Sequence, residues 1–231
     1  MNKPIAVILI AVLIAALFSG CGAKDAPAAE PAETAEPILP GSGLLGGWTV
    51  TDSPEVTDEV RTLFDQAMEG LVGVSYEPEA YLATQVVAGR NHALFCRARA
   101  VTPEAKPYFA VVYIYEDLNK KAQITEIRPL TPDGRSDENA GTAGTLAGGW
   151  SVPESQEKGL TAFGKATEKL LGVDYTPVLV TGEQVVKGMN YSVLCRAAAV
   201  TPAAEPGYCF VIVYEDLDGN ASVADVVALG A

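Results

Sequence analysis

Histidine is almost missing from this chain: His92 is the only one in 231 residues. A Ser-His-Asp triad or a Cys-His dyad could therefore be built once at most. Ligands at the spacings that hold zinc are missing too. No metal or other cofactor is expected, and the chain does not read as an enzyme. Positive charge is scarce as well, since 16 Lys and Arg stand against 29 Asp and Glu and leave a formal charge of −13. That balance excludes nucleic acid as a partner, because a phosphate binder needs a basic face. It also disfavours adsorption onto anionic lipid headgroups. Long apolar runs are lacking except at residues 5–18. At about 14 residues this run falls short of the ~20 that span a bilayer.

What is there begins with an address. Lys3 precedes the apolar run, and Ser19-Gly20-Cys21 closes it, the layout of a signal peptide. Leu17-Phe18-Ser19-Gly20-Cys21 resembles the bacterial lipobox, in which small residues precede a cysteine that is lipidated and becomes the new N-terminus. The resemblance implies a lipoprotein signal peptide over 1–20, a lipid anchor at Cys21, and export to the outer face of the cytoplasmic membrane or cell envelope. Residues 21–43 are rich in Ala, Pro and Glu. They cannot bury enough apolar surface to order themselves and read as a stalk.

The rest of the chain repeats itself. Gln85-Val86-Val87-Ala88-Gly89 returns as Gln184-Val185-Val186-Lys187-Gly188, Cys96-Arg97-Ala98 as Cys195-Arg196-Ala197, and Tyr115-Glu116-Asp117-Leu118 as Tyr214-Glu215-Asp216-Leu217, always 99 residues on. Residues 63–128 and 162–227 share about 28 identities in 66 ungapped positions. A fixed offset means one folded unit duplicated. The expected organisation is a first domain over 44–130, a Gly/Asp/Asn/Ser/Thr-rich linker over 131–146, and a second domain over 147–231.

Within the first unit a leading strand at Gly47-Trp48-Thr49-Val50 is followed by a helix. Asp52, Ser53 and Pro54 look like its start. Val56, Val60, Phe64, Ala67, Met68 and Leu71 recur at steps of three and four along one face, and Gly70 and Gly73 end it. Leu160, Phe163, Ala166, Leu170 and Leu171 repeat the stripe in the second unit, where Gly159 and Gly164 are expected to weaken the helix. From Tyr76 the period becomes two. Residues 81–87 and 91–101 read as strands around Ala88-Gly89, with further strands at 109–115 and 123–128. Asn119-Lys120 and Asp218-Gly219 fall where a tight hairpin turn belongs. The expected class is α+β twice over, one helix packed across a four- or five-stranded antiparallel sheet.

These residues carry a resemblance. Gln85-Val86-Val87-Ala88-Gly89 matches the Gln-x-Val-x-Gly signature of the cystatins, inhibitors of papain-like cysteine proteases, and Gly46-Gly47-Trp48 just before a helix is similar to the start of plant cystatins. The resemblance covers 44–130 and 146–231. It implies two tandem cystatin-like domains and, as partner, a papain-like cysteine protease blocked by a wedge. Gln85, Val86, Val87, Ala88 and Gly89 would form the first loop of that wedge, as would Gln184, Val185, Val186, Lys187 and Gly188 in the second unit. Gly46 or Gly47, and Gly148 or Gly149, would supply the N-terminal segment. The Pro-Trp of many cystatin second loops is absent: residues 116–121 and 215–220 are largely acidic and polar instead. The alternative is a non-inhibitory binding or structural module of the cell envelope, in which the motif only closes a hairpin.

Other residues read as scaffold. His92 corresponds to Tyr191 in the repeat, which marks a sheet residue. Cys96 and Cys195 read as buried thiols. Cys209 corresponds to Ala110, and counting through Pro202 and Pro206 sets Cys195 and Cys209 out of direct opposition, so no disulfide is expected. Asp216-x-Asp218-Gly219-Asn220 reads as a turn and not a calcium loop.

Overall fold

The computed structural model describes residues 47–138, 149–200 and 205–229. The signal and stalk segments, the expected lipidation residue Cys21, and Gly46 and Gly148 lie outside the described residues. The first repeat runs β1 (Trp48–Val50), α1 (Asp58–Met68), β2 (Val74–Val87), β3 (Gly89–Ala100), β4 (Tyr108–Glu116) and β5 (Ala122–Leu130). The second runs α2 (Glu157–Thr167), β6 (Val173–Val186), β7 (Gly188–Ala199), β8 (Gly207–Glu215) and β9 (Ala221–Ala228). Both sheets are antiparallel meanders, ordered β1-β2-β3-β4-β5 and β6-β7-β8-β9. In the second, a single antiparallel bridge from Ser151 to Glu183 stands where β1 stands in the first.

The strand arrangement follows from the turns. Val87 faces Gly89 across the first hairpin, and Glu116 faces Ala122 across the last. Pro78 and Pro177 sit inside long strands, where a missing N–H would break the ladder. Each lies at a register shift, between Pro78 and Ala80 and between Pro177 and Leu179. A bulge tolerates the unpaired position and bends the strand.

The expected α+β class is corrected to mostly β. Each helix has only 11 residues, about 16 Å at 1.5 Å per residue, against 14-residue strands of roughly 46 Å. Among helix residues α1 buries only Leu63 and Phe64, and α2 only Gly159, Ala162 and Phe163. A helix of that size covers a patch of one sheet face and leaves the rest to other cover. The other faces of the two sheets supply it: Ala93, Phe95, Val111 and Tyr113 share one core with Leu194, Phe210 and Ile212. The Phe95 and Phe210 rings lie 6.0 Å apart. Strand β4 is consequently buried at seven consecutive positions, the pattern of a strand with no solvent face.

Residues 131–134 are buried between these elements. Thr181 donates to the Pro132 carbonyl at 2.6 Å, and Arg135 pairs with both Asp133 and Asp225.

Three local expectations are also corrected. Helix α1 starts at Asp58, not near Asp52, because Thr57 is its N-cap, its side chain accepting from the Val60 amide at 3.4 Å. The earlier signal is a separate turn, in which Ser53 Oγ accepts from the Glu55 amide at 3.2 Å. The Pro54 carbonyl then accepts the Tyr81 amide at 2.9 Å, which commits that segment to β2 and not to the helix. Gly159 is no defect: a Cβ there would stand 2.7 Å from Val180 Cγ1, so the glycine lets α2 lie close on β6. Finally, Cys195 and Cys209 are directly opposed in the β7–β8 ladder. Pro206 lies just outside the last pair, Ala197 with Gly207, and does not shift the register; Pro202 lies outside the described residues.

Candidate functional site

One end of the first sheet gathers the residues singled out in the sequence. The β2–β3 hairpin turns at Ala88, between Val87 and Gly89. Beside it, the register Trp48 to Gln85 sets Gly47 next to the Val86 end of β2. On the other side β3 pairs with β4, Arg90 against Glu116, which brings the β4–β5 turn to the same end. Gly47, the hairpin tip and that turn thus form one contiguous rim.

The polar and glycine positions of the motif are spent on shaping the tip. Gln85 Oε1 accepts from Asn91 Nδ2 at 2.6 Å, and Gln184 from Asn190 at 2.6 Å. Gly89 has φ +127° and Gly188 φ +124°, backbone that L side chains adopt only under strain. This lets each hairpin close against β4 or β8. The Tyr115 hydroxyl donates to the Ala88 carbonyl at 2.5 Å and the Tyr214 hydroxyl to the Lys187 carbonyl at 2.6 Å. Each tip is therefore pinned to the neighbouring strand pair.

The apolar positions point outward. Val86 is 79 % exposed and Val185 81 %, with Val87 and Val186 half so. Exposed valines at a pinned tip are apolar surface held ready at little entropic cost, unlike apolar residues in a mobile loop.

The β4–β5 turn contributes a residue that the sequence reading passed over. Asp117 Oδ1 accepts from the amides of Asn119 at 2.8 Å and Lys121 at 2.9 Å, and those backbone bonds, Lys121's above all, hold its carboxyl below the ordinary range. Asp216 is also held low, chiefly by the Asn220 side-chain amide donating to its Oδ2 at 2.9 Å, with the backbone amides of Asp218 and Asn220 at 2.9 Å to its Oδ1. These aspartates build the turn and are not free acids aimed at a partner. In the same turns, Leu118 is 81 % exposed and Leu217 78 % exposed. The signal was present in the repeated Tyr-Glu-Asp-Leu tract, where leucine is kept in both copies.

His92 lies one step down the strand from this rim, buried in the sheet. Its Nδ1 is 2.7 Å from the Tyr81 hydroxyl and its Nε2 is 3.6 Å from Glu116 Oε2. Burial pushes its pKa down against the upward pull of Glu116. Together with Arg90, Lys120, Gln66 and the start of α1 it lines a cleft of about 730 Å³. In the second repeat the corresponding Tyr191 is buried, and Lys165 reaches Glu215 at 3.1 Å.

The second rim is built alike, with differences. Gly149 has φ +74°, close to the +77° of Gly47, but the strand after it is reduced to the Ser151–Glu183 bridge. Lys187 replaces Ala88 at the exposed apex.

No protein-family model matches this chain, and no curated protein matches it either. Among solved structures it is similar to mouse fetuin-B, at 14% identity over 81% of this chain and 72% of that chain, with a TM-score of 0.27. It is also similar to the chain matched in an inhibitory complex of human meprin beta with mouse fetuin-B, at 13% identity over 81% of this chain and 78% of that one, with a TM-score of 0.26. Likenesses at such scores carry no argument, so function has to be read from the rim itself.

Proposed function

We propose that this chain is an exported protein, lipid-anchored through Cys21, that inhibits papain-like cysteine proteases by inserting the rim of its first repeat into the protease cleft. The observation that carries the reading is the convergence at one sheet end of Gly47, the pinned Val86-Val87 tip and Leu118, all presented outward. A cleft-filling wedge needs apolar anchors on rigid backbone. Leu118 is the exposed apolar residue of the loop in which many cystatins carry Pro-Trp. A buried leucine contributes about 1.5–3 kcal/mol, enough for one or two decades of affinity. The wedge comprises Gly46 and Gly47, residues 85–89 and Leu118. The second rim, with Gly148 and Gly149, residues 184–188 and Leu217, is the weaker copy because the Lys187 ammonium would have to be desolvated on entering a cleft.

A second reading, a non-inhibitory module of the cell envelope, draws on one observation. Gln85 is bonded to Asn91 and Gly89 serves the close approach of β4, so the motif has a complete role inside the fold.

Titration of papain with residues 44–231 separates the two. Inhibition at micromolar concentration is expected. Val86→Asp and Leu118→Asp should each weaken it at least tenfold, equivalent to about 1.4 kcal/mol, while Val185→Asp changes it little. Absence of inhibition by a fragment whose circular dichroism is intact would refute the inhibitor reading.

A further inference from the structure

The second repeat holds a pair of cysteines that the first does not. Cys195 on β7 and Cys209 on β8 are direct partners in the antiparallel register. At the equivalent place in the first repeat Cys96 faces Ala110. Directly opposed residues in an antiparallel ladder project to the same face with Cα atoms about 4.5–5.5 Å apart, inside the roughly 4.4–6.8 Å that a disulfide requires. Both residues belong to the same core cluster, beneath Phe163 of α2, and are 0% and 1% exposed. Burial pushes the Cys195 thiol up, and the neighbouring Cys209 pushes it further. We propose that Cys195 and Cys209 form a cross-strand disulfide joining β7 to β8, and that Cys96 stays a thiol.

The chemistry balances by thiol–disulfide exchange with a disulfide oxidant, either a small-molecule disulfide or a disulfide oxidoreductase. The thiolate of one cysteine attacks a sulfur of the oxidant's disulfide, and one oxidant thiolate leaves. The second cysteine gives up its proton and attacks the mixed disulfide; the second oxidant thiolate leaves. Two thiols are oxidised and the oxidant's disulfide is reduced to two thiols, with both electron pairs accounted for.

The order of events follows from burial. Thiolate is the attacking species, and in the folded protein burial holds Cys209 near a pKa of about 12. Exchange therefore takes place while the β7–β8 hairpin is forming, before α2 closes over it. Afterwards the same cover keeps reductants out. The short separation of the two cysteines along the chain favours early pairing, since closing a short loop is fast.

The cellular setting of this bond rests on the export proposed above, but the site does not. The full chain, denatured and reduced, is refolded in a mixture of oxidised and reduced glutathione, trapped with N-ethylmaleimide and mapped by peptide mass spectrometry without reduction. A peptide linking Cys195 to Cys209 is expected in most molecules, with Cys96 recovered as a thiol that alkylates only in denaturant. Cys209→Ala, which recreates the Cys96–Ala110 arrangement of the first repeat, should fold and leave Cys195 unlinked. Recovery of both residues as thiols, or linkage of Cys195 to Cys96 or Cys21, overturns the proposal. The same map on full chain isolated from bacterial cells tests the setting. A bond formed in glutathione but missing from the cellular protein refutes export to an oxidising compartment and leaves the site standing.

Discussion

Gly89→Ala should be among the most damaging single substitutions in the first repeat, though it adds one methyl group at a half-buried hairpin position. Two costs combine. The φ of +127° lies in a region that L residues occupy only with strain, about 1–3 kcal/mol. The new Cβ would stand 2.9 Å from Tyr115 Cε2 and closer still to the Glu116 carbonyl oxygen. Backbone cannot swing aside as a long side chain can, so β4 or the tip must shift, for about another 1–3 kcal/mol. A total of about 2–6 kcal/mol is a large part of the 5–15 kcal/mol typical of a domain. Gly73→Ala is the matched control: its φ is +93°, but nothing lies within 4 Å of a Cβ there, so only the strain remains. Urea unfolding followed by circular dichroism should show a larger loss of midpoint for Gly89→Ala than for Gly73→Ala, at unchanged m. Gly188→Ala should repeat the result in the second repeat, where the Tyr214 ring lies 3.1 Å from the added carbon. Equal losses at 89 and 73 would refute the close-approach argument. The point bears on the proposed function, because a bulky residue at 89 would deform the rim on which that proposal rests. Val86 and Leu118, whose side chains are about four-fifths exposed, are the cleaner probes.

Much of this was legible in the sequence, and where it was not the reason is physical. Ala88-Gly89 marked the hairpin because glycine adopts a φ of +127° with least strain, and Asn119-Lys120 and Asp218-Gly219 marked turns by their own local chemistry, Lys120 taking a left-handed φ of 65°. Local signals failed where a distant strand overrode them. Ser53 and Pro54 carry real turn chemistry, but the Tyr81 amide, far along the chain, takes the Pro54 carbonyl and delays the helix to Thr57. The fold class was misjudged for the same kind of reason. A helix stripe and alternating strands suggest one buried face per sheet, whereas Tyr108-Phe109-Ala110-Val111-Val112-Tyr113-Ile114 is apolar without a break. That run signals burial on both faces, and the second cover is the other sheet. Of the rim, the motif and Gly47 were legible. Leu118 was passed over because its acidic neighbours suggested a solvated loop, and those acids prove to be bonded to their own turn.

Gly164→Ala should stabilise the protein by about 0.5–1 kcal/mol, because this glycine lies inside α2 with open space around a Cβ; a raised urea midpoint is the check. Gly159→Ala, on the same helix but 2.7 Å from Val180, should lower it. Burial is the largest influence on His92 and lowers its pKa below the ordinary 6.5, with Arg90 and Lys120 acting in the same direction and Glu116, 3.6 Å away, opposing. The unfolded chain therefore binds a proton at this site before the folded one does. Stability from His92 is fully present above about pH 6.5 and declines as pH falls through the folded value, with a slope of up to about 1.4 kcal/mol per pH unit. His92→Phe, which places an aromatic ring where the second repeat buries Tyr191, removes the dependence while the carboxylate contributions stay common to both proteins. Between pH 7 and 5 the wild type should therefore lose unfolding free energy relative to the variant as pH falls. If instead the wild type gains on the variant as pH drops, the Glu116 pairing outweighs burial and His92 is charged in the fold.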